Sequence, residues 1–124
     1  HQFMVFSANT PIQHAFADVF SDTDYFSELS RFFLQKRDLF AGLLKETRFS
    51  LLPCYGSYFQ CVTYEKVSDE SDVDLARRMT LDHGVAAIPV SAFYTKNTDY
   101  SVLRFCFAKK DETLEAAAAK LRNI

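Results

Sequence analysis

Arg104 interrupts an otherwise apolar run formed by Val102, Leu103, Phe105, Cys106 and Phe107. Strand alternation places Leu103, Phe105 and Phe107 on one face and Val102, Arg104 and Cys106 on the other. A guanidinium on a largely apolar face needs an anionic partner, and a planar carboxylate matches its fork of N–H donors. On these residues alone, a structural ion pair is the commoner use of such an arginine, and a bound carboxylate is the chemical alternative.

The other reactive side chains are scattered. His1, His14 and His83 are isolated, and no Cys or His pair has the short spacing that puts two ligands on one ion, so no metal centre is expected. His83 before Gly84 reads as a cation near a helix C-terminus. Cys54, Cys61 and Cys106 cannot all pair, and their apolar or aromatic neighbours offer no base to activate a thiolate. They read as packing residues in a reducing, cytoplasmic protein. Asp69, Glu70, Asp72 and Asp74 gather at a helix start, where acids complement the dipole on a solvated face. Lys109 and Lys110 read as surface lysines. Gly42, Gly56 and Gly84 lie too far apart to form a phosphate-cradling loop.

These residues need elements to place them. Residues 3–8 read as a strand or an extended lead-in, and Asn9, Thr10 and Pro11 start a short helix that runs through Phe20. Residues 21–24 cap a longer helix whose apolar positions Phe26, Leu29, Phe33, Phe40, Leu43 and Leu44 form a core-type stripe. Pro53 and Gly56 break the chain before a strand at 58–64. Ser71 and Asp74 form a capping-box-like start for a helix ending at His83 and Gly84. Residues 85–90 suit an edge strand, 95–99 a loop and 102–107 a strand. Asp111 is then expected to cap a final helix striped by Leu114, Ala117, Ala118 and Leu121. The order implies an α/β fold, a small sheet of about three strands covered by helices on one side.

At 124 residues the chain has the mass of one ordinary domain. Thirteen Phe without a Trp make it a chain that folds, or that demands a surface to fold against. A net charge of −2, with both signs interspersed, gives no basic stripe for nucleic acid, and no apolar run reaches the length of a membrane span. The start at His1, without Met, hints at a segment of something longer.

Five motifs in one order add a resemblance. Residues 1–6 (HQFMVF), 10–13 (TPIQ), the Lys36-Arg37-Asp38 helix, 53–59 (PCYGSYF) and 84–94 (GVAAIPVSAFY) with 102–109 resemble the C-terminal part of class I aminotransferases. The similar branch holds the methionine, glutamine and kynurenine enzymes. The resemblance implies a fold-type I enzyme with pyridoxal phosphate attached to a lysine of a large domain, and an active site between domains and between subunits of a homodimer. Residues 1–22 would then end the large domain, and residues 23–124 would form the small domain, beginning with a connector helix over 23–47. The cofactor lysine would lie upstream of His1, leaving no catalytic or cofactor-binding residue in this chain.

By the same resemblance Arg104 binds the substrate carboxylate and Tyr58 lines the substrate pocket, with Phe59 as its rival because the register after Gly56 is open. Ser91 and Phe93 would lie on the segment that closes over the substrate. The expected activity is exchange of an amino group between an amino acid, with methionine, glutamine and aromatic ones as candidates, and a 2-oxo acid. The chain alone would be inactive without the large domain. A free-standing α/β binding or dimerisation module without catalysis is the alternative.

Overall fold

The computed structural model describes residues 3–96 and 98–124. The expectations placed on His1 and Gln2, and on Asn97 of the polar loop, lie outside the described residues. The chain divides into two compact units, His1–Phe32 and Phe33–Ile124. This division by contact is separate from any assignment to the domains of a larger enzyme.

In the first unit, residues 3–5 form a turn, and Phe6 has a left-handed backbone with φ of 60°, so the lead-in is not a strand. Helix α1 (Thr10–Ser21) starts where Asn9 accepts a hydrogen bond from the Ile12 amide and Pro11 sits in the first turn. No residue of α1 is buried. Helix α2 (Thr23–Leu44) starts at Asp22, whose carboxylate accepts from the amides of Asp24 and Tyr25. The sequence stripe on α2 is buried only towards its end, at Phe40 and Leu44, whereas Phe26 and Leu29 are exposed. The expected extension to residue 47 is a tightened turn, with the Lys45, Glu46 and Thr47 amides each bonded three residues back.

The second unit is built on a four-stranded antiparallel sheet in the order β1 (Ser50–Leu51), β2 (Phe59–Thr63), β4 (Val102–Cys106), β3 (Ile88–Pro89). The strand beyond the expected three is β1, two residues long and too short to leave an alternation in the sequence. β3 is the expected edge strand, reduced to two residues because the chain enters a 3₁₀ turn at Val90–Phe93. Gln60, Val62, Leu103 and Phe105 bury one face of the sheet. There they meet Phe40 and Leu44 of α2, Leu75 and Met79 of α3 (Asp72–His83), and Leu114 and Leu121 of α4 (Asp111–Leu121). Helices therefore cover one side only.

Two helix starts show how local chemistry sets the frame. Ser71 accepts from the Asp74 amide and donates its hydroxyl to the Asp74 carboxylate, so the expected capping-box-like start is formed with the return bond made by the hydroxyl and not by the Ser71 amide. At α4 the cap position belongs to Lys110, whose side chain makes no capping bond, and Asp111 is the first helical residue rather than the cap. Its carboxylate takes the ammonium of Lys36 instead. Among the described residues, no helix is long and apolar enough to cross a membrane, and no cluster of three His, Cys, Asp or Glu side chains could hold a metal ion.

Candidate functional site

The open face of the sheet carries Arg104. β4 pairs with β2 so that Cys61 lies opposite Arg104 and Phe59 opposite Cys106, and β3 sets Ile88 opposite Arg104 on the other side. Directly paired residues point to the same face, so Phe59, Cys61, Ile88, Arg104 and Cys106 share the side away from the helices. The alternation anticipated for 102–107 is observed: Leu103 and Phe105 are buried in the core, and Val102, Arg104 and Cys106 are half-buried.

Two rings lie against the guanidinium. Its central carbon is 4.0 Å from the centroid of Phe59 and 4.6 Å from that of Phe93. Stacking on aromatic faces holds the plane of an arginine and leaves its in-plane N–H edges as donors. The Nε of Arg104 is buried without a hydrogen-bond partner among the described residues, and no described carboxylate forms an ion pair with Arg104. The structural ion pair favoured by the strand alone is therefore not formed among the described residues. An orphaned buried guanidinium nitrogen is costly, and a planar anion with two acceptor oxygens would relieve it.

The two candidate pocket aromatics divide the work. Phe59 is the first residue of β2 and touches Arg104, while Tyr58 precedes the strand and packs its ring 4.4 Å from that of Phe59 and 6.2 Å from that of Phe33. The Tyr58 carbonyl accepts from the Phe107 amide, continuing the ladder and holding this corner in place. Gly56 lies in a bend with open space where a Cβ would stand, so no close approach among the described residues requires a glycine there.

Cys61 and Cys106 lie at the same face, and Cys54 packs against the core. Cys54 donates to the Phe59 carbonyl at 3.2 Å, and all three cysteines are free and half-buried. Burial pushes the Cys61 thiol above its ordinary value, opposed by the positive charge of Arg104 and reinforced by Cys54. A thiol so shifted is a poor nucleophile near neutral pH.

The acidic cluster is less uniform than its position suggests. Glu70 pairs with Arg78 and Asp74 belongs to the cap, but Asp72 is buried rather than solvated. It accepts from both the amide and the hydroxyl of Ser91, on the turn that carries Phe93. Asp99 accepts from the Asp72 amide, the Ser101 amide and the Tyr64 hydroxyl. Neither Asp72 nor Asp99 has a periodicity or motif that would single it out. Their roles depend on chain segments nineteen and twenty-seven residues apart in sequence.

Residues 1–121 match the model of the family described as aminotransferase class I and II. A methionine aminotransferase of Escherichia coli is 44% identical over all of this chain and 32% of its own length. A kynurenine–oxoglutarate transaminase of Dictyostelium discoideum is 30% identical over all of this chain and 34% of its own length. Among solved structures, an Escherichia coli protein with an identified methionine aminotransferase function superposes with a TM-score of 0.91 at 44% identity, covering 100% of this chain and 33% of that one. The chain thus spans about a third of the length of the relatives it matches.

Proposed function

The chain belongs to the class I and II aminotransferases, and on that premise we propose that it is the C-terminal part of an enzyme that moves an amino group between an amino acid and a 2-oxo acid. In this reading residues 1–22 end the large cofactor-binding domain and residues 23–124 form the small domain. The enzyme is a homodimer, and the three free thiols of this chain suit the cytoplasm. Methionine, glutamine and aromatic amino acids are the proposed substrates.

The observation that carries the reading is the buried, unpartnered Nε of Arg104 between aromatic neighbours. Arg104 offers the substrate α-carboxylate two parallel N–H donors, which fixes where the amino group points. Phe59 and Phe93 hold the guanidinium plane and exclude water, so the charge-assisted bonds act in a medium less polar than solvent. Tyr58 extends the aromatic wall beyond Phe59 towards the substrate side chain. When bound, pyridoxal phosphate supplies the electron sink for the bond chemistry. In this reading the residues that hold it belong to the large domain, and the cofactor lysine lies upstream of His1.

The test is kinetic, in the full-length enzyme. Arg104→Lys keeps the charge but loses the fork, and Arg104→Ala leaves the carboxylate without its partner. Truncating one member of a buried charge pair costs about 2 to 5 kcal/mol, so kcat/KM for Arg104→Ala should fall by roughly two to three orders of magnitude or more. An amine lacking the carboxylate should lose far less between wild type and variant. If Arg104→Ala instead unfolds the protein while the surviving fraction keeps normal kinetics, Arg104 is structural and the reading fails.

A further inference from the structure

Asp72 opens α3 one residue after the Ser71 cap, where an acid ordinarily complements the helix dipole from solvent. Its side chain is instead 1% exposed, and it forms no ion pair among the described residues. Both carboxylate oxygens are used on a single partner: Oδ2 accepts from the Ser91 amide and Oδ1 from the Ser91 hydroxyl, each at 2.7 Å. Ser91 is buried as well. Burying a carboxylate is costly, and the capping of α3 does not require it, because Ser71 already accepts from the Asp74 amide.

The use of this buried pair lies two residues further on. Ser91 belongs to the 3₁₀ turn Val90–Phe93, a single short turn with little stability of its own. Phe93, at its end, is 60% exposed, so burial does not hold its ring, yet the ring stands over the Arg104 guanidinium. The tether to Asp72 is the polar anchor of that turn.

We infer that Asp72 is a positioning residue for the Arg104 site: it holds Ser91, Ser91 holds the turn, and the turn keeps Phe93 over the guanidinium. The plane in which Arg104 meets a carboxylate then depends on a side chain that never touches the substrate. This inference rests on the carboxylate-binding role proposed for Arg104. Because that contact is made in ground state and transition state alike, loss of the tether should raise KM for the amino acid and leave kcat nearly unchanged.

A double-mutant cycle in the full-length holoenzyme tests it. Asp72→Ala and Phe93→Ala should each raise KM by about tenfold with kcat within about threefold of wild type, and the double variant should be no worse than the more impaired single one. Asp72→Asn should stay within about twofold, since its amide can accept from the Ser91 N–H and donate to the Ser91 hydroxyl. Effects of Asp72→Ala and Phe93→Ala that multiply, or a lowered melting temperature with unchanged KM, would make Asp72 a purely structural residue and overturn the inference. If Asp72→Ala does not fold, Ser91→Ala combined with Phe93→Ala forms a second cycle that removes the hydroxyl half of the tether and leaves the amide bond: a smaller rise in KM that does not multiply with that of Phe93→Ala supports the tether, and effects that multiply overturn it. A normal kcat/KM in Arg104→Ala would sink the carboxylate reading itself. An impaired Arg104→Ala beside a normal Asp72→Ala would sink only the tether.

Discussion

Tyr64 is 1% exposed, and its hydroxyl has two acceptors, the Glu70 carbonyl at 3.1 Å and the Asp99 carboxylate at 3.2 Å. Ionising it would bury a phenolate beside a carboxylate, so burial first and Asp99 second push its pKa well above the ordinary phenol range. The folded protein therefore holds this proton more tightly than the unfolded chain, whose tyrosines titrate near pH 10. Stability from this source is complete below about pH 10 and falls by about 1.4 kcal/mol per pH unit above it. Tyr64→Phe should be less stable by about 1 kcal/mol at pH 8, through the lost hydrogen bond, and the deficit should shrink and reverse as pH climbs past 10. Urea unfolding of both proteins between pH 8 and 11 checks this, and parallel stability curves would show that Tyr64 does not titrate as its surroundings require. At the same scale, the placement of Arg104 was legible in the alternation of its strand. What alternation could not supply was its neighbours. The choice between Tyr58 and Phe59 depends on where β2 begins, and Asp72 looked solvated because its partner, Ser91, comes from a different turn.

Helix ends carry the most readable local chemistry, and Gly84 is the sharpest case. Its φ of 62° lets the Gly84 amide reach the Thr80 carbonyl and the Val85 amide the Met79 carbonyl, closing α3 in a left-handed cap. A Cβ there would meet only the mobile end of Lys120, 3.3 Å away, so backbone strain sets the cost of substitution. Gly84→Ala should destabilise by about 1 kcal/mol and Gly84→Asn by less, since Asn tolerates this conformation better. Thermal unfolding distinguishes them, and an Ala variant as stable as wild type would show that the cap contributes nothing. Asn9, Ser71 and Gly84 were legible because each acts on amides within a few residues. The start of α4 was not, because Asp111 sits within an ion pair's reach of Lys36, seventy-five residues away, and takes that ammonium in place of its own helix amides. The strands follow the same rule. β2 and β4 alternate over five residues each and announce themselves, whereas β1 exists through its pairing of Ser50 with Thr63 and Leu51 with Val62. Such pairing leaves no trace in a two-residue stretch.

At the scale of the whole molecule, apolar surface is distributed unevenly between the two units. The second unit closes a core around Phe40, Leu44, Leu103 and Phe105, while α1 in the first unit buries nothing. Phe16, Phe20 and Phe26 stack in series, with ring centroids 5.7 and 5.5 Å apart, and all three remain exposed, as do Phe3, Met4 and Phe6 nearby in sequence. The excess of phenylalanine in the sequence implies a chain that folds or that demands a surface to fold against, and its exposed rings are concentrated here. In the proposed enzyme the large domain and the second subunit supply that cover. Without them, a stack of aromatic rings open to water is an association site. The chain by itself should therefore self-associate, with a weight-average mass in sedimentation equilibrium that rises with concentration. Gln is polar and a good helix former, so Phe16→Gln with Phe20→Gln should leave α1 intact and remove two of the rings. Burying one such ring contributes about 1.5 to 3 kcal/mol, so losing two should weaken association by on the order of a hundredfold or more. The urea midpoint of the Phe33–Ile124 unit should not move, because neither residue belongs to its core. A wild-type chain that stays monomeric at high concentration, with strong hydrogen-exchange protection across residues 3–20, would mean that the first unit satisfies its own apolar surface and needs no partner.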